Sequence, residues 1–449
     1  MKRLAPLLIL FTAIAFGQDV DISVPYSKFR LDNGLTVILH EDHTTPIVSV
    51  NMMYHVGSGN EKPGRTGFAH LFEHIMFEGS ENVPEGKFDE WLEAAGGSNN
   101  GSTDSDRTNY WENVPTHALD LALFLESDRM GFLLGAMSPE KGDGQRDVVK
   151  NERRQSYEDR PYGMVWIALR ENLYPENHPY HWPTIGSMED LSAASYEDVV
   201  EFFNLYYTPN NASLVIAGDI SPEETLALAE KWFGGIERGE KVPRIEVPEL
   251  DLTEERRVTL EDKVQLPRIH FLWHTPAIFK PGDAEMDAVA SILAAGKNSR
   301  LYKRLVYDMQ IAQSVVAFQA SSMLGSYFMV WATARAGHTL DELEEVINEE
   351  IALLKSESPS EREIQRMVNQ IEASFISQLE RVGGFGGKAD MLNHYYYQTG
   401  EPDYFNTDLN RYRSLTPESV KRAAEDYLID ARVVISVIPE KTTETSEDN

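Results

Sequence analysis

Residues 46–56 read PIVSVNMMYHV, and residues 267–276 read PRIHFLWHTP. Each opens on a proline and runs into an apolar, strand-like stretch, and the two prolines stand 221 positions apart. The same offset carries FAHLFEH, from Phe68, onto VASILAA, from Val289. It also carries Ser195, Glu197, Val199 and Tyr206 onto Thr416, Glu418, Val420 and Tyr427. Each of these sets precedes a β-branched run, ASLVIAG in the first half and ARVVISVIP in the second. An offset kept over about 150 residues, with the same order of strand and helix signals, marks two related domains.

Working outward, amphipathic spacing predicts helices over 86–95, 117–133, 195–207, 222–233, 340–355, 360–380 and 417–428. The order is not a regular strand–helix alternation. The expected class is therefore α+β: two related domains, each a mixed or antiparallel sheet covered on one face by helices. The first domain is expected over 18–235 and the second over 257–439. The charge-rich stretch 236–256, which lacks helical periodicity, reads as a linker, and 440–449 as a polar tail.

Composition narrows the function classes. The chain has 449 residues, 42% apolar and 25% charged, and no cysteine. That excludes disulfides, thiolate metal sites, iron–sulfur clusters and a cysteine nucleophile. A net charge of −31 repels phosphate backbones, so nucleic acid is not an expected partner. Residues 1–17, MKRLAPLLILFTAIAFG, have the layout of a secretory signal peptide: Lys2 and Arg3, an apolar run, then small residues around Phe16. The run is shorter than the roughly 20 residues that span a bilayer, and no later segment is apolar enough to do so. The expected location is a bacterial periplasm or the exterior.

The chemistry is concentrated in His70-Leu71-Phe72-Glu73-His74. Apolar spacing through Phe68, Leu71, Phe72, Ile75 and Met76 predicts a helix over about Thr66 to Phe77. On a helix, positions i, i+3 and i+4 share a face, so His70, Glu73 and His74 project together. Two imidazoles one turn apart can hold a zinc ion, with the carboxylate beside its water as a base. This inverts the commoner His-Glu-x-x-His motif. The alternative is a solvated helix face that carries the pattern by chance. The duplication weighs against it: at offset 221 the trio becomes Ser291, Ala294 and Ala295 while the apolar positions persist. A catalytic zinc takes a third protein ligand, here His, Asp or Glu. Glu152, in DVVKNERRQSYEDRP, is the best local candidate, although spacing does not separate it from a surface carboxylate paired with Arg153 or Arg154.

With these residues in view, the sequence resembles the pitrilysin/insulinase family of inverted-motif zinc metallopeptidases, and most of all its short bacterial members and mitochondrial processing peptidase subunits. The text that carries the resemblance is GRTGFAHLFEHIMFEGS, GGSNNGSTDSDRTNYWENVP, RDVVKNERRQSYEDRP, HPYHWPTIGS, YYTPNNASLVIAGD, PRIHFLWHTP, SRLYKRL and GGFGGKADMLNHYY, which together run through nearly all of the mature chain. The resemblance implies half of a clamshell that closes on peptide substrates. It implies His70, His74 and Glu152 as ligands of Zn2+, Glu73 as general base, and Asn100, Gly101, Ser102 and Thr103 as the edge strand against which substrate lies.

Three departures from the family pattern stand out. Gln145 replaces an acid that many relatives carry seven residues before the third ligand. Val306 and Gln313 stand where complete members have an Arg and a Tyr that hold substrate and the developing oxyanion. Gly101 and Ser102 replace Ala and a bulkier residue. The second departure resembles the zinc-bearing subunit of two-chain members, which implies a homologous partner that lacks the zinc motif and supplies the Arg/Tyr pair. The expected function is a secreted zinc endopeptidase acting on peptides or unfolded segments, with some preference for basic ones. The competing readings are a non-catalytic peptide-binding or scaffold subunit and a processing peptidase with one substrate.

Overall fold

A computed structural model describes residues 22–440, so the expected leader at 1–17 and nearly all of the expected tail at 440–449 lie outside the described residues. Eleven strands form two sheets among those residues. The first contains β1 (Ser27–Arg30), β2 (Thr36–Glu41), β3 (Ile47–Tyr54), β4 (Ser98–Thr103), β5 (Thr108–Pro115) and β6 (Ala212–Gly218), in the order β1-β2-β6-β3-β5-β4. The second contains β7 (Arg256–Asp262), β8 (Arg268–Thr275), β9 (Ala312–Ala320), β10 (Ser326–Ala334) and β11 (Val433–Pro439), in the order β7-β11-β8-β10-β9. Apart from β1 the two orders are the same pattern. In each, one pair is parallel, β2 with β6 and β7 with β11, and the rest are antiparallel.

The helices of the first half are α1 (Phe68–Ile75), α2 (Lys87–Ala94), α3 (Leu119–Ala136), α4 (Pro139–Arg153), α5 (Val165–Leu173), α6 (Met188–Ala193), α7 (Tyr196–Tyr206) and α8 (Pro222–Phe233). Those of the second are α9 (Asp283–Ala294), α10 (Leu340–Ser356), α11 (Glu361–Leu379), α12 (Lys388–Thr399), α13 (Phe405–Arg413) and α14 (Pro417–Tyr427). No helix or strand lies between Phe233 and Arg256. The expected helices are present within a few residues of their expected ends. Their starts follow from local chemistry: Ser195, Thr339, Ser360 and Thr416 each cap a helix through the side-chain oxygen.

Each sheet lays one face on its own helices. In the first half, Val48, Val50, Met52, Leu214 and Ile216 pack with Leu71 and Phe72 of α1, Leu123 of α3 and Phe203 of α7. In the second, Phe271, Trp273 and Val434 pack with Val289 and Leu293 of α9, Ile347 of α10 and Val420 of α14. The constant offset of 221 holds through α7 and α14 but not in the following strands. Leu214 and Ile216 face the helices of the first half, whereas at offset 221 Ile435 and Val437 face away from those of the second. Because side chains alternate in a strand, a slip of one residue reverses the face.

The expectation that helices cover one face of each sheet is incomplete. The back of the first sheet, Ile38, Val215 and Ala217, is covered by Ala389, Leu392 and Tyr395 of α12, from the second half. The back of the second, Leu272, Met329, Val433 and Ile435, is covered by Val165, Ala168 and Leu169 of α5, from the first half. Each half thus lends the other a helix. At about 1.5–3 kcal/mol for each large apolar side chain removed from water, this exchange joins the halves strongly.

Candidate metal centre and peptide-binding edge

The sequence places His70, Glu73 and His74 on α1, and the fold decides which way they face. Phe68, Ala69, Leu71, Phe72 and Ile75 are buried against the sheet, which turns the polar trio to the opposite side. The helix begins at Gly67, whose backbone is left-handed (φ 89°). A Cβ there would lie 2.8 Å from the Ile185 carbonyl oxygen. Glycine cannot cap with a side chain, and Glu61 does so from outside the helix. Its two carboxylate oxygens accept from the Gly67 N–H (2.9 Å) and the Ala69 N–H (2.8 Å). Glu61 is not marked in the sequence, because a carboxylate six residues before the capping position matches no local capping pattern.

Glu152, near the end of α4, reaches the same place because α4 packs against α1. Its Oε2 lies 3.3 Å from His74 Nε2 and 3.6 Å from His70 Nε2. Among the described residues this is the one group of three or more His, Cys, Asp or Glu side chains that could hold a metal ion, with ligand atoms within 4.8 Å of one another. Donors about 2.1 Å from a tetrahedral zinc stand about 3.4 Å apart, so two of the three spacings already fit. The donor set, two imidazoles and one carboxylate, is that of catalytic rather than structural zinc sites. Burial, helped by nearby His74 and opposed by Glu152, pushes His70 down to about 4, which keeps its lone pair free. Its Nδ1 is buried without a hydrogen-bond partner. The bond from His74 and the two imidazoles hold Glu152 below the usual carboxylate range, against its partial burial. Glu73 goes the other way: burial raises it, opposed by Thr103, His74 and Arg107.

The four residues expected to line substrate lie on β4, one of the two edge strands of the first sheet. Its inner edge pairs with β5 and its outer edge pairs with no strand among the described residues. Alternation divides the four. Gly101 lies over Glu73: a Cβ there would be 3.3 Å from Glu73 Cγ and 3.1 Å from the Tyr110 ring. Thr103, two residues on, stands on the same side, where its hydroxyl opposes the rise in the Glu73 pKa. Ser102 turns away, and its hydroxyl donates to Asn109 Oδ1 at 2.9 Å. Asn100 Oδ1 accepts from the Gly101 N–H at 2.8 Å.

The departures also have definite places. Gln145 Nε2 donates to Glu78 Oε1 at 2.5 Å, so an acid does stand beside position 145, contributed by another segment. Val306 packs against the core of the second half, and Gln313 is exposed on β9. Ser291 and Ala294 lie on α9, the counterpart of α1, without metal-binding side chains.

A family model described as "Insulinase (Peptidase family M16)" matches residues 36–180, and one described as "Peptidase M16 inactive domain" matches residues 193–371. The chain belongs to peptidase family M16. The inverted motif falls in the first match, and the counterpart helix α9 in the second. Among relatives of this M16 chain, "Zinc protease PqqE" of Helicobacter pylori is 29% identical over 440 residues, covering 96% of this chain and 97% of that protein. "Uncharacterized zinc protease YmxG" of Bacillus subtilis is 25% identical over 355 residues, covering 79% of this chain and 84% of that one. The crystal structure of a protease from Helicobacter pylori superposes with a TM-score of 0.86 at 26% identity, covering 92% of this chain and all of that one.

Proposed function

We propose that this M16 chain is a secreted zinc-dependent endopeptidase that cleaves peptides or unfolded segments held in an enclosed chamber. The convergence of His70, His74 and Glu152 with Glu73 beside them carries the reading. His70, His74 and Glu152 would hold the metal, and zinc, when bound, polarises a scissile carbonyl and acidifies water. Glu73 takes a proton from the attacking water on its carboxylate and returns it to the leaving amine. Burial raises its pKa, the direction that suits a carboxylate that must hold a proton and return it. Gly101 leaves the carboxylate room to swing, and the outer edge of β4 accepts the peptide backbone as an added strand. The leader-like segment 1–17 supports export to a bacterial periplasm or beyond. No described helix is long and apolar enough to cross a membrane.

Val306 and Gln313 in place of an Arg/Tyr pair support a further element, a heterodimer whose zinc-less partner supplies that pair. The test is hydrolysis of an internally quenched peptide by the mature chain, with Glu73→Gln as control and metal content measured on both. Hydrolysis lost in a control that keeps its zinc supports the peptidase. A zinc-loaded wild type that stays inactive alone but gains activity with such a relative supports the heterodimer. Inactivity under both conditions would leave the scaffold reading standing.

A further inference from the structure

The hairpin that carries the peptide edge, β4 and β5, is tied to the second half of the chain at its turn, beside the turn and along β5. At its turn, Asp106 accepts from the Met323 N–H (2.9 Å) and from the Tyr180 hydroxyl. Beside the turn, Arg107 Nε meets His394 Nε2 at 3.4 Å, while its Nη1 donates to the Ser102 carbonyl oxygen at 2.8 Å. In the strand itself, Asn109 Nδ2 donates to Asp390 Oδ1 at 2.7 Å.

Asp390 is where these ties meet. It lies on α12 and is 6% exposed. Its Oδ1 also accepts from Asn51 Nδ2 (3.3 Å), and its Oδ2 from the Gly386 N–H (2.7 Å). The His394 ring stands 3.6 Å away. Asn51 is held in turn by Asn393, also on α12, at 2.7 Å. A buried carboxylate surrounded by donors orients every amide that reaches it. With its N–H2 group committed to Asp390, Asn109 presents its Oδ1 to the Ser102 hydroxyl, on the strand directly opposite. The relay therefore runs from Gly386, through Asp390 and Asn109, to β4.

We propose that Asp390 is a positioning residue for peptide binding, contributed by the half of the chain that lacks the metal ligands. It sets β4 through Asn109 and Ser102, and so sets the register in which a peptide pairs with that edge. It touches neither the peptide nor the reacting atoms. The inference rests on the reading of β4 as the peptide edge. It explains why the second half keeps a fully bonded polar cluster against a sheet whose chemistry lies on the opposite face.

The experiment uses the full mature chain and a quenched peptide, with KM and kcat separated and zinc content and Tm recorded. Asp390→Asn puts an N–H2 group against either Gly386 N–H or Asn109. Its expected effect is a KM raised about fivefold with kcat changed less than twofold, since strand pairing contributes equally to ground and transition states. Ser102→Ala, which also removes an acceptor of Arg107 Nη1 (2.6 Å), is expected to raise KM by at least that factor, and the double variant no further than Ser102→Ala alone, because both break one relay. A folded, zinc-loaded Asp390→Asn chain with unchanged KM, or effects of the two variants that multiply, would overturn the proposal. If Asp390→Asn does not fold, Ser102→Ala decides alone: an unchanged KM sinks the relay. The edge reading is tested separately on the wild type with peptides N-methylated at successive amides. If no methyl group raises KM, β4 is not the peptide edge. If some do while the variants behave as wild type, only the role of Asp390 fails.

Discussion

Gly101 has no side chain because the space its Cβ would fill borders Glu73 and the Tyr110 ring, 3.1–3.3 Å away. Alanine there requires the neighbours to yield a few tenths of an ångström; the extra methyls of valine would push Glu73 aside. Gly101→Val is expected to lower kcat about tenfold or more with zinc content unchanged, and Gly101→Ala to retain most activity, as steady-state kinetics with metal analysis would read. His270, on β8, makes a pH prediction. Burial, helped by the Arg268 charge and opposed by a bond with the Ile435 carbonyl, lowers it to about 3. The unfolded chain then binds a proton at His270 below about pH 6.5 that the folded chain refuses until about pH 3. Its contribution is present above pH 6.5 and lost as pH falls through that window. Buried acids such as Asp106, raised to about 6, titrate in the opposite sense, so the comparison must be with a variant. Wild type should lose stability relative to His270→Phe by up to about 1.4 kcal/mol per pH unit between pH 6 and 4, read from denaturant melts.

At the scale of the element, α1 is only eight residues long, too short to be stable alone, so its ends and its packing hold it. The Glu61 carboxylate satisfies two of its orphan N–H groups from a buried position. Glu61→Ala leaves those donors unpaired and is expected to cost about 2–4 kcal/mol. Because α1 carries two proposed ligands, zinc affinity should also fall about tenfold, measurable by competition with a chelating dye. Glu61→Gln, which keeps one acceptor in place, should lose less of both. The common face of His70, Glu73 and His74 was legible because it depends only on the pitch of one helix turn. The arrival of Glu152 was not, because α4 meets α1 through packing that no spacing encodes. Likewise Asn100–Thr103 was placed on an edge strand by resemblance, while the alternation that sends Thr103 toward Glu73 and Ser102 toward Asn109 follows only once the pairing with β5 is known.

For the whole molecule, the exchange of α5 and α12 means that neither half can bury both faces of its own sheet. A fragment ending in the 236–256 stretch would leave Ile38, Val215 and Ala217 uncovered, and the complementary fragment would leave Leu272, Met329, Val433 and Ile435 bare. Each fragment alone is expected to bind a hydrophobic dye and melt without a cooperative transition. The two mixed should regain a single transition, read by circular dichroism. Two fragments that melt cooperatively apart would show that the exchange is dispensable. The repeated strand pattern, the helix starts and the polar trio are written in short stretches of chain, since dihedral preference and side-chain periodicity act over one or two turns. The arrival of Glu152 beside the two imidazoles, the helices lent between halves and the Asp390–Asn109–Ser102 relay join residues tens to hundreds of positions apart. Such contacts exist only where packing brings the segments together, and a one-residue slip, as between β6 and β11, is enough to change which face a residue joins.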